Sequence, residues 1–306
     1  MNLHQLRYFI AVAEEGHITR AAERLGIQQP PLSRIIKGIE QELDVQLLRR
    51  KARGVELTDA GRAFLDRARA ALANIDQAIV TARRTARGEQ GHICVGVAHA
   101  AAHHPFAPLA ISAFREALPL VSVTLEETTS DSLVQHLRNE QIDTAFIRWL
   151  PADSTGLLIN KLLDEEVIVA LPSGHPLALA KGNRNAALPL KALSSESFIM
   201  MRPQSSAALH ATTIAACHSA GFAPKVAQEV PRATSSLGYV AAGLGISFVP
   251  ASLQRMQMQG VSFRRVTSPV QPTVPLVLAC RRGDPSPVVR QFVNLVRRAA
   301  KDFPAA

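Results

Sequence analysis

Residues 18–43 read ITRAAERLGIQQPPLSRIIKGIEQEL, and this stretch decides the fold of the N-terminal region. Apolar residues recur at helical spacing from Thr19 to Leu25 and again from Leu32 to Leu43, with Gly26 where the first helix would end. Proline breaks a helix interior but suits its first turn, where the N–H has no intrahelical partner. Gln29-Pro30-Pro31 therefore predicts the start of a second helix, and the two helices form a helix-turn-helix at about residues 18–37.

The second helix of such a motif enters the major groove of DNA with its N-terminal residues against the bases. Short polar side chains suit the groove floor, whereas long cationic ones suit the phosphates. The face opposite the apolar stripe carries Ser33, Arg34 and Lys37. An ordinary helical hairpin with a solvated basic face is the alternative. The predicted DNA contacts are Thr19, Arg20, Gln29, Pro30, Ser33, Arg34, Lys37 and Arg53.

The segment after this motif, LLRRKARGVELT, holds four cations in residues 49–53. Gly54 lies between two short β-like runs, which predicts a hairpin. Such a hairpin would act as a wing, with Arg53 near its tip reaching phosphate or the minor groove. A first helix is predicted from Leu3 to Ala13, because apolar residues recur there at helical spacing. Residues 1–58 are therefore predicted to be a mainly α-helical winged helix-turn-helix domain.

A long helix is predicted from Asp59 to about Arg87, giving a linker over residues 59–88. The segment has no proline and many alanines, and Thr58 and Asp59 suit a helix N-terminus. A helix of this length cannot bury an apolar seam alone, so we expect it to dimerise; packing on its own domain is the alternative. The seam comprises Phe64, Leu65, Ala68, Leu72, Ile75, Ile79 and Ala82.

Beyond Gly88 the pattern changes to β-like runs alternating with helical stretches. This alternation predicts an α/β region with largely parallel sheets. The predicted strands are HICVGVA, VSVTLEE, IDTAFIR, EVIVALP, SFIMMR, GISFVP and PLVLACR.

Composition narrows the class of protein. The 306 residues are too many for one ordinary core, and no apolar run approaches the roughly 20 residues that a bilayer span needs. The formal charge of +9 is spread along the chain, since residues 1–90 hold 15 Lys/Arg against 11 Asp/Glu and the remainder 19 against 14. Because no export signal is visible, we expect a cytoplasmic protein without membrane contact. Three distant cysteines, expected to be buried thiols, suggest neither disulfides nor zinc: Cys94, Cys217 and Cys280.

The N-terminal region resembles the LysR-type transcriptional regulators. The resemblance lies in LRYFIAVAEEGHITRAAERLGIQQPPLSRIIKGIEQELDVQLLRR, followed by GVELTDAG, which agree with the family pattern nearly residue for residue. His17 departs from it, because the family usually has a small capping residue such as Ser there, so the cap of the second helix is in question. Ile39 replaces the usual Leu.

The rest of the chain is similar to the effector domain of the branch that includes muconate- and benzoate-responsive regulators. The segments concerned are ETTSDSLVQHLRNEQIDTAFIRW, VALPSGHPLA and SSLGYVAAGLGISFVPAS. The resemblance implies a two-lobed domain like that of periplasmic binding proteins, with two crossover strands and a small ligand in the cleft. It also implies a homotetramer that binds double-stranded operator DNA, with RNA polymerase as a candidate partner. The predicted lobes are residues 89–162 with 268–306, and residues 163–267.

Two helix starts in this region could hold the carboxylate of an organic or aromatic acid. Thr128, Thr129 and Ser130 pass from a strand into a helix, and Thr234 with Ser235 do so in the other lobe. Ordinary helix capping is the alternative. Arg148 follows the strand IDTAFI at the edge where α/β sheets bind ligands, and it matches an arginine of the benzoate-responsive branch. A surface salt bridge from Arg148 to Glu126 or Glu127 is the alternative there.

The segment VAHAAAHHPF should line the cleft after the first strand, where the family places effector contacts. His99 could pair with a carboxylate, and a metal site with His103 is disfavoured because no further ligand is spaced to complete it. Ala100, Arg202 and Phe248 complete the candidate effector contacts. No catalytic residue, metal or cofactor is predicted, since the sequence has no nucleophile-elbow, P-loop or dinucleotide-binding motif. A cytoplasmic α/β enzyme or a small-molecule-binding protein without DNA binding remains the rival class.

Overall fold

The computed structural model of the chain describes residues 1–52, 54–151, 153–179 and 187–304. The chain divides into two compact units, Met1–Arg84 and Thr85–Ala306. Each is described below by itself.

The first unit is mainly helical, with one β-hairpin. Its elements are α1 (Leu3–Glu15), α2 (Ile18–Leu25), α3 (Gln29–Leu43), β1 (Leu48–Lys51), β2 (Gly54–Leu57) and α4 (Asp59–Arg87), which continues past the end of the unit. β1 and β2 pair antiparallel. The predicted helix-turn-helix, hairpin and long helix are all present.

The prolines lie where the sequence placed them, in the first turn of α3. Gln28 precedes that helix in an extended conformation and makes no side-chain cap hydrogen bond. His17 does cap α2, because its Nδ1 accepts a hydrogen bond from the Thr19 N–H at 3.3 Å. A histidine thus performs here the capping that a small hydroxyl side chain usually performs.

α3 is fixed to the hairpin by one carboxylate. Glu40 Oε1 accepts hydrogen bonds from the N–H groups of Leu47 (2.8 Å) and Leu48 (3.0 Å), which satisfies two backbone donors at the start of β1. The apolar side of α3 lies in the core of this unit with Phe9, Val12 and Leu47. This packing leaves the opposite side of α3 to solvent.

α4 buries only its N-terminal half. Leu65 and Ala68 are buried, and Phe64 packs against Phe9 with ring centroids 5.0 Å apart. Further along, Ile79 and Val80 are 45% and 39% exposed. The apolar seam therefore remains open at its C-terminal end.

The second unit is α/β. Its strands are β3 (Gln90–Ala98), β4 (Leu120–Thr128), β5 (Thr144–Ile147), β6 (Leu157–Pro172), β7 (Leu188–Pro189), β8 (Ser197–Met201), β9 (Lys225–Val230), β10 (Ser247–Pro250), β11 (Val261–Arg264), β12 (Val266–Thr267) and β13 (Thr273–Arg281). Its helices are α5 (His99–Ala102), α6 (Phe106–Ala117), α7 (Ser130–Arg138), α8 (Pro176–Leu179), α9 (Ala207–Ser219), α10 (Ala233–Ala241) and α11 (Pro287–Asp302), with 3₁₀ turns at Leu190–Leu193 and Ala251–Met256.

Two strands connect two hydrophobic cores. A seven-stranded sheet runs in the order β10-β6-β13-β5-β3-β4, with β11 also paired to β6. The first half of β6 pairs with β13, and its second half pairs with β10 and β11. One core, here called lobe 1, includes Ile93 and Phe292, and the other, lobe 2, includes Phe198 and Leu237. The two predicted crossover strands are β6 and β13.

Three details differ from the sequence-based expectation. The core positions pass from lobe 1 to lobe 2 after Leu163 and return between Val274 and Leu276, so the second crossing lies beyond the predicted boundary at residue 268. The sheets are only partly parallel, because β6 and β13 pair antiparallel as they cross. Some strands were not predicted: β9 and the first half of β6 alternate polar and apolar residues weakly, and β7, β11 and β12 are only two to four residues long.

Within the described part of the chain, no helix is both long enough and apolar enough to cross a membrane.

Candidate functional site

The exposed face of α3 carries most of the predicted DNA contacts. Gln29, Pro30, Arg34 and Lys37 are exposed, and Ser33 is half-buried. Neither Arg34 nor Lys37 has a hydrogen-bond or ion-pair partner in the described residues. The N-terminal half of α3 therefore offers polar and cationic groups that are free to bind an external partner.

The predicted DNA contacts outside α3 differ in how far they are free to bind DNA. Thr19 and Arg20 are exposed at the start of α2, but Arg20 Nη2 donates to the Glu15 carbonyl at 2.6 Å. Arg53 lies outside the described residues. In the hairpin, Arg49 and Lys51 both pair with Glu56, at 2.9 and 2.5 Å. Part of the charge of the basic cluster is thus neutralised internally.

A cavity of about 410 Å³ lies between lobes 1 and 2 of the second unit. Its apolar wall is aliphatic and includes Met201, Leu209, Leu253 and Val274. Seventeen residues line it: His99, Ala100, His103, Glu127, Thr129, Arg148, Met201, Ser205, Ser206, Leu209, Pro231, Arg232, Ala233, Thr234, Pro250, Leu253 and Val274. A volume of this size suits a small organic ligand.

Helix starts from both lobes meet at this cavity. Thr129 is the N-cap of α7 and accepts a hydrogen bond from the Ser132 N–H at 3.2 Å. Thr234 is in the first turn of α10, and Ser206 precedes α9 without making a side-chain cap. The backbone N–H groups at these helix starts are suited to a negative charge.

Arg148 lines the cavity and also forms a buried ion pair. Its guanidinium and the Glu165 carboxylate form an ion pair in which the side chains are only 4% and 1% exposed. Glu165 Oε1 also accepts a hydrogen bond from the Ser252 N–H at 2.6 Å. Desolvation lowers the pKa of Arg148, and the charge of Glu165 opposes that shift. The alternative partners, Glu126 and Glu127, are wrong, because the bridge is buried and goes to Glu165.

Two guanidinium nitrogens of Arg148 remain unsatisfied. Nε and Nη1 are buried and have no hydrogen-bond partner among the described residues. His104, 2% exposed, lies in the electrostatic range of the same ion pair, and its burial lowers its pKa. His104 Nδ1 accepts a hydrogen bond from the Phe106 N–H at 3.2 Å.

His99 and Glu127 form a pair at the cavity. The His99 Nδ1 and Glu127 Oε1 atoms are 2.9 Å apart, so His99 pairs with a carboxylate of the protein itself. His103 lines the same cavity. Within the described residues, no three His, Cys, Asp or Glu side chains are placed to hold a metal ion.

Four predicted effector contacts lie elsewhere. Thr128 is the last residue of β4, so it precedes the helix start, and it does not line the cavity. Ser130 lines a small adjoining pocket of about 30 Å³, and its hydroxyl accepts a hydrogen bond from the Arg148 N–H at 3.1 Å. Arg202 is exposed and outside the lining. Phe248 is 4% exposed in the core of lobe 2, where its ring packs on Phe198.

Several lining residues were not predicted. Ser205 and Ser206 directly precede the helical run AALHATTIAACHS, which is a sequence signal for a helix start that could have been used. Glu127 adjoins the predicted Thr128, and Arg232 lies two positions before the predicted Thr234. Glu165 is the middle residue of the acidic triplet 164–166, and no local feature of the sequence distinguishes it from its two neighbours as the buried one.

Comparison with known proteins gives two family matches that together cover most of the chain. Residues 3–62 match the model described as "Bacterial regulatory helix-turn-helix protein, lysR family", and residues 86–301 match the "LysR substrate binding domain". The chain belongs to the LysR family of transcriptional regulators. It is therefore a DNA-binding regulator of transcription with an effector-binding domain, and the rival assignment to an enzyme is not supported.

Full-length relatives of the LysR family agree with this assignment. The chain is 36% identical over 295 residues to the regulator AlsR of Bacillus subtilis, covering 96% of this chain and 95% of AlsR. It is 33% identical to BenM of Acinetobacter baylyi over 307 residues, covering 97% and 96%. Because identity to AlsR is at least as high, the finer assignment to the muconate- and benzoate-responsive branch is not shown.

A solved structure has the same architecture. The LysR-family regulator CbnR, crystallised at full length with its target DNA, superposes with a TM-score of 0.84 and 32% identity, covering 98% of this chain and 100% of CbnR. The LysR fold predicted for this chain is therefore confirmed.

Proposed function

We propose that this LysR-family regulator binds a small organic acid in the cavity between lobes 1 and 2, and that the bound acid changes its interaction with operator DNA. The observation that carries the proposal is the convergence of Arg148 with the helix starts at Thr129, Ser206 and Thr234 on one cavity. Each favours a negative charge, and the aliphatic wall accommodates the remainder of the ligand.

The unsatisfied nitrogens of Arg148 support an anionic ligand in particular. A buried guanidinium has five N–H donors, and leaving donors without partners costs free energy. A carboxylate that reached Nε and Nη1 would supply the missing acceptors. The muconate- and benzoate-responsive branch resembled by the effector-domain motifs is one source of candidate acids.

For DNA binding we propose that α3 enters the major groove. Gln29, Pro30, Ser33 and Arg34 would face base edges, with Lys37 directed to phosphates. Thr19 and Arg20 at the start of α2 would contact the backbone, and Arg53, which precedes Gly54 in the sequence, would reach phosphate or the minor groove. The exposure of α3 and its unpaired cations supports this division.

For assembly we propose a dimer formed through α4 and a tetramer of two such dimers. The exposed apolar residues Ile79, in the seam, and Val80, next to it, support the dimer, because solvent exposure of such residues is unfavourable. RNA polymerase is a proposed further partner, and the proposed location is the cytoplasm. In sedimentation experiments, Ile79→Asp with Val80→Asp should lower the molecular mass of the complex, and an unchanged mass would exclude α4 from the interface.

A thermal-stability panel tests the effector proposal. Any ligand that binds only the folded state stabilises it, and the rise in Tm grows with the logarithm of the ratio of ligand concentration to Kd. The panel should contain muconate, benzoate, succinate, lactate and acetate, each beside its neutral amide. We expect at least one acid, and not its amide, to raise the Tm of the intact protein.

A cavity-filling variant shows whether that acid binds here. Ala100→Trp should abolish the rise in Tm because Ala100 lines the cavity, whereas Ala113→Trp on the exposed side of α6 should retain it. No rise with any acid, or a rise retained in Ala100→Trp, would contradict the proposal.

A further inference from the structure

One wall of the effector cavity is negatively charged. Glu127, near the end of β4, lines the cavity with its side chain 57% exposed. His99 occupies Oε1, whereas Oε2 makes no hydrogen bond to the described residues. A carboxylate only accepts hydrogen bonds, so the ligand group that meets Glu127 Oε2 has to donate one.

Other residues that line the cavity favour the opposite charge. Arg148 and Arg232 line the same cavity, together with the helix starts at Ser206 and Thr234. The Arg232 side chain forms no hydrogen bond or ion pair with the described residues. A carboxylate in the cavity is therefore attracted by Arg148, Arg232 and the helix starts, and is repelled by the Glu127 carboxylate. A ligand with negative charge at both ends would place like charges together at Glu127.

We propose that Glu127 is a specificity-determining residue that selects an acid carrying a hydroxyl or ammonium group beside its carboxylate. This inference rests on the proposed function, because it assumes that the cavity binds an acid. The carboxylate would lie at Arg148 and the helix starts, and the hydroxyl or ammonium group would donate to Glu127. A site built to bind a donor discriminates against the analogue that lacks it, because its own polar group is then left unpaired.

A purely structural role for Glu127 predicts something different. If the pair with His99 only fixes α5 to the end of β4, loss of the Glu127 charge should affect all acids equally. The two roles therefore predict different effects on the selectivity between acids, and a change in overall affinity does not distinguish them.

Matched pairs of acids provide the test. The probes are lactate against propionate, malate against succinate, 2-hydroxybenzoate against benzoate, and alanine against propionate, each titrated into the intact protein while Tm is followed. In at least one pair we expect the member with the donor to bind at least tenfold more tightly. Glu127→Gln keeps the size of the side chain and removes its charge, and it should reduce that ratio to threefold or less.

Glu126→Gln is the matched control. Glu126 precedes Glu127 on the same strand, pairs with His136 at 2.5 Å and does not line the cavity. We expect Glu126→Gln to keep the wild-type ratio. The Tm of each variant without ligand verifies that it is folded, which is expected because both glutamates are partly exposed.

The outcomes separate the two proposals. If no acid of any pair raises Tm, the proposed function fails. If acids bind but paired members bind equally, or if Glu127→Gln leaves the ratio unchanged, the effector proposal stands and the role of Glu127 is overturned.

Discussion

Arg34 is the single side chain on which the proposed DNA contact depends most. It is exposed in the N-terminal half of α3 and has no ion-pair partner in the described residues. Arg34→Ala should weaken operator binding by about 1–3 kcal/mol if the side chain contacts a base. Fluorescence anisotropy with DNA from upstream of the gene measures this affinity, at fixed salt because phosphate contacts make it salt-dependent.

The control for Arg34 is Arg67→Ala, which removes an exposed arginine on α4 outside the helix-turn-helix. Operator affinity should change little in that variant. Equal affinities for wild type and Arg34→Ala would contradict the assignment of α3 as the recognition helix.

Arg148 and Glu165 should be strongly coupled in stability. Arg148→Met leaves the Glu165 carboxylate buried without its cation, and breaking such a pair typically costs about 3–5 kcal/mol. Adding Glu165→Leu removes the stranded charge, so the double variant should be much more stable than Arg148→Met alone. Urea denaturation followed by the fluorescence of Trp149, the one tryptophan of the chain, reports the free energy of unfolding.

The double variant can also contradict this coupling between Arg148 and Glu165. If the free-energy losses of Arg148→Met and Glu165→Leu simply add in the double variant, the two side chains do not interact as the structure indicates.

His104 should make the protein less stable in mild acid. Burial lowers its pKa, with Glu165 opposing that shift and Arg148 and Arg255 adding to it. Below about pH 6.5 the unfolded chain takes up a proton that the folded chain does not, so unfolding becomes more favourable. The stability due to neutral His104 is thus present above that pH and is lost as pH falls towards the lowered pKa.

Replacing His104 should flatten that pH dependence. His104→Asn keeps a hydrogen-bond acceptor and removes the titrating group, so stability should fall less between about pH 6.5 and 5 than in wild type. His218→Asn, at an exposed histidine, should retain the wild-type slope. Parallel pH profiles for wild type and His104→Asn, measured by urea denaturation, would contradict this account.

At the scale of residues, prediction from sequence worked for local chemistry and failed for long-range partners. The position of Arg148 beside the cleft followed from the strand IDTAFI. Its partner Glu165 lies 17 residues further on and was not predicted, because pairing across strands depends on register. Phe248 was assigned to the ligand, but every residue of β10 is buried and Phe248 lies in the core of lobe 2.

Among the secondary-structure elements, the joint between the hairpin and α4 depends on Gly61. A Cβ atom at this position would overlap the Leu47 carbonyl oxygen, which accepts a hydrogen bond from the Thr58 N–H at 3.0 Å. Backbone cannot move as readily as a side chain. Gly61→Ala should therefore destabilise the N-terminal unit.

Gly38 offers a matched control within α3. A Cβ there meets nothing within 4 Å, so Gly38→Ala should stabilise the unit by about 0.5–1 kcal/mol through helix propensity. Hydrogen exchange of peptides from residues 1–84 in the intact chain measures both effects. Faster exchange in Gly61→Ala and slower exchange in Gly38→Ala are expected, and the same change in both would contradict the packing at Leu47.

Most elements could be predicted because their signals are local. The prolines and Gly26 fixed the ends of α2 and α3, and the absence of breakers gave α4 from Asp59 to Arg87. β9 was missed because all but the last of its residues are exposed, so no hydrophobic alternation marks it.

For the whole molecule, the sequence predicted the family more easily than it predicted the boundaries of the two lobes. The crossings coincide with the acidic residues 164–166 in β6 and with Pro275 in β13, but neither an acidic run nor a proline by itself indicates that a strand changes core. The resemblance supplied the two-lobed architecture, whereas the crossing between Val274 and Leu276 emerged only from packing. Assembly through α4 remains a prediction.

The central claim is that an acid bound in the effector domain changes how the regulator contacts DNA. DNase footprinting of the upstream DNA with the intact protein, in the presence and absence of the acid that raises Tm most, tests it directly. We expect the acid to change the protected length or the pattern of enhanced cleavage, and Ala100→Trp to show the same footprint in both conditions. An identical footprint for wild type with and without saturating acid would contradict the account.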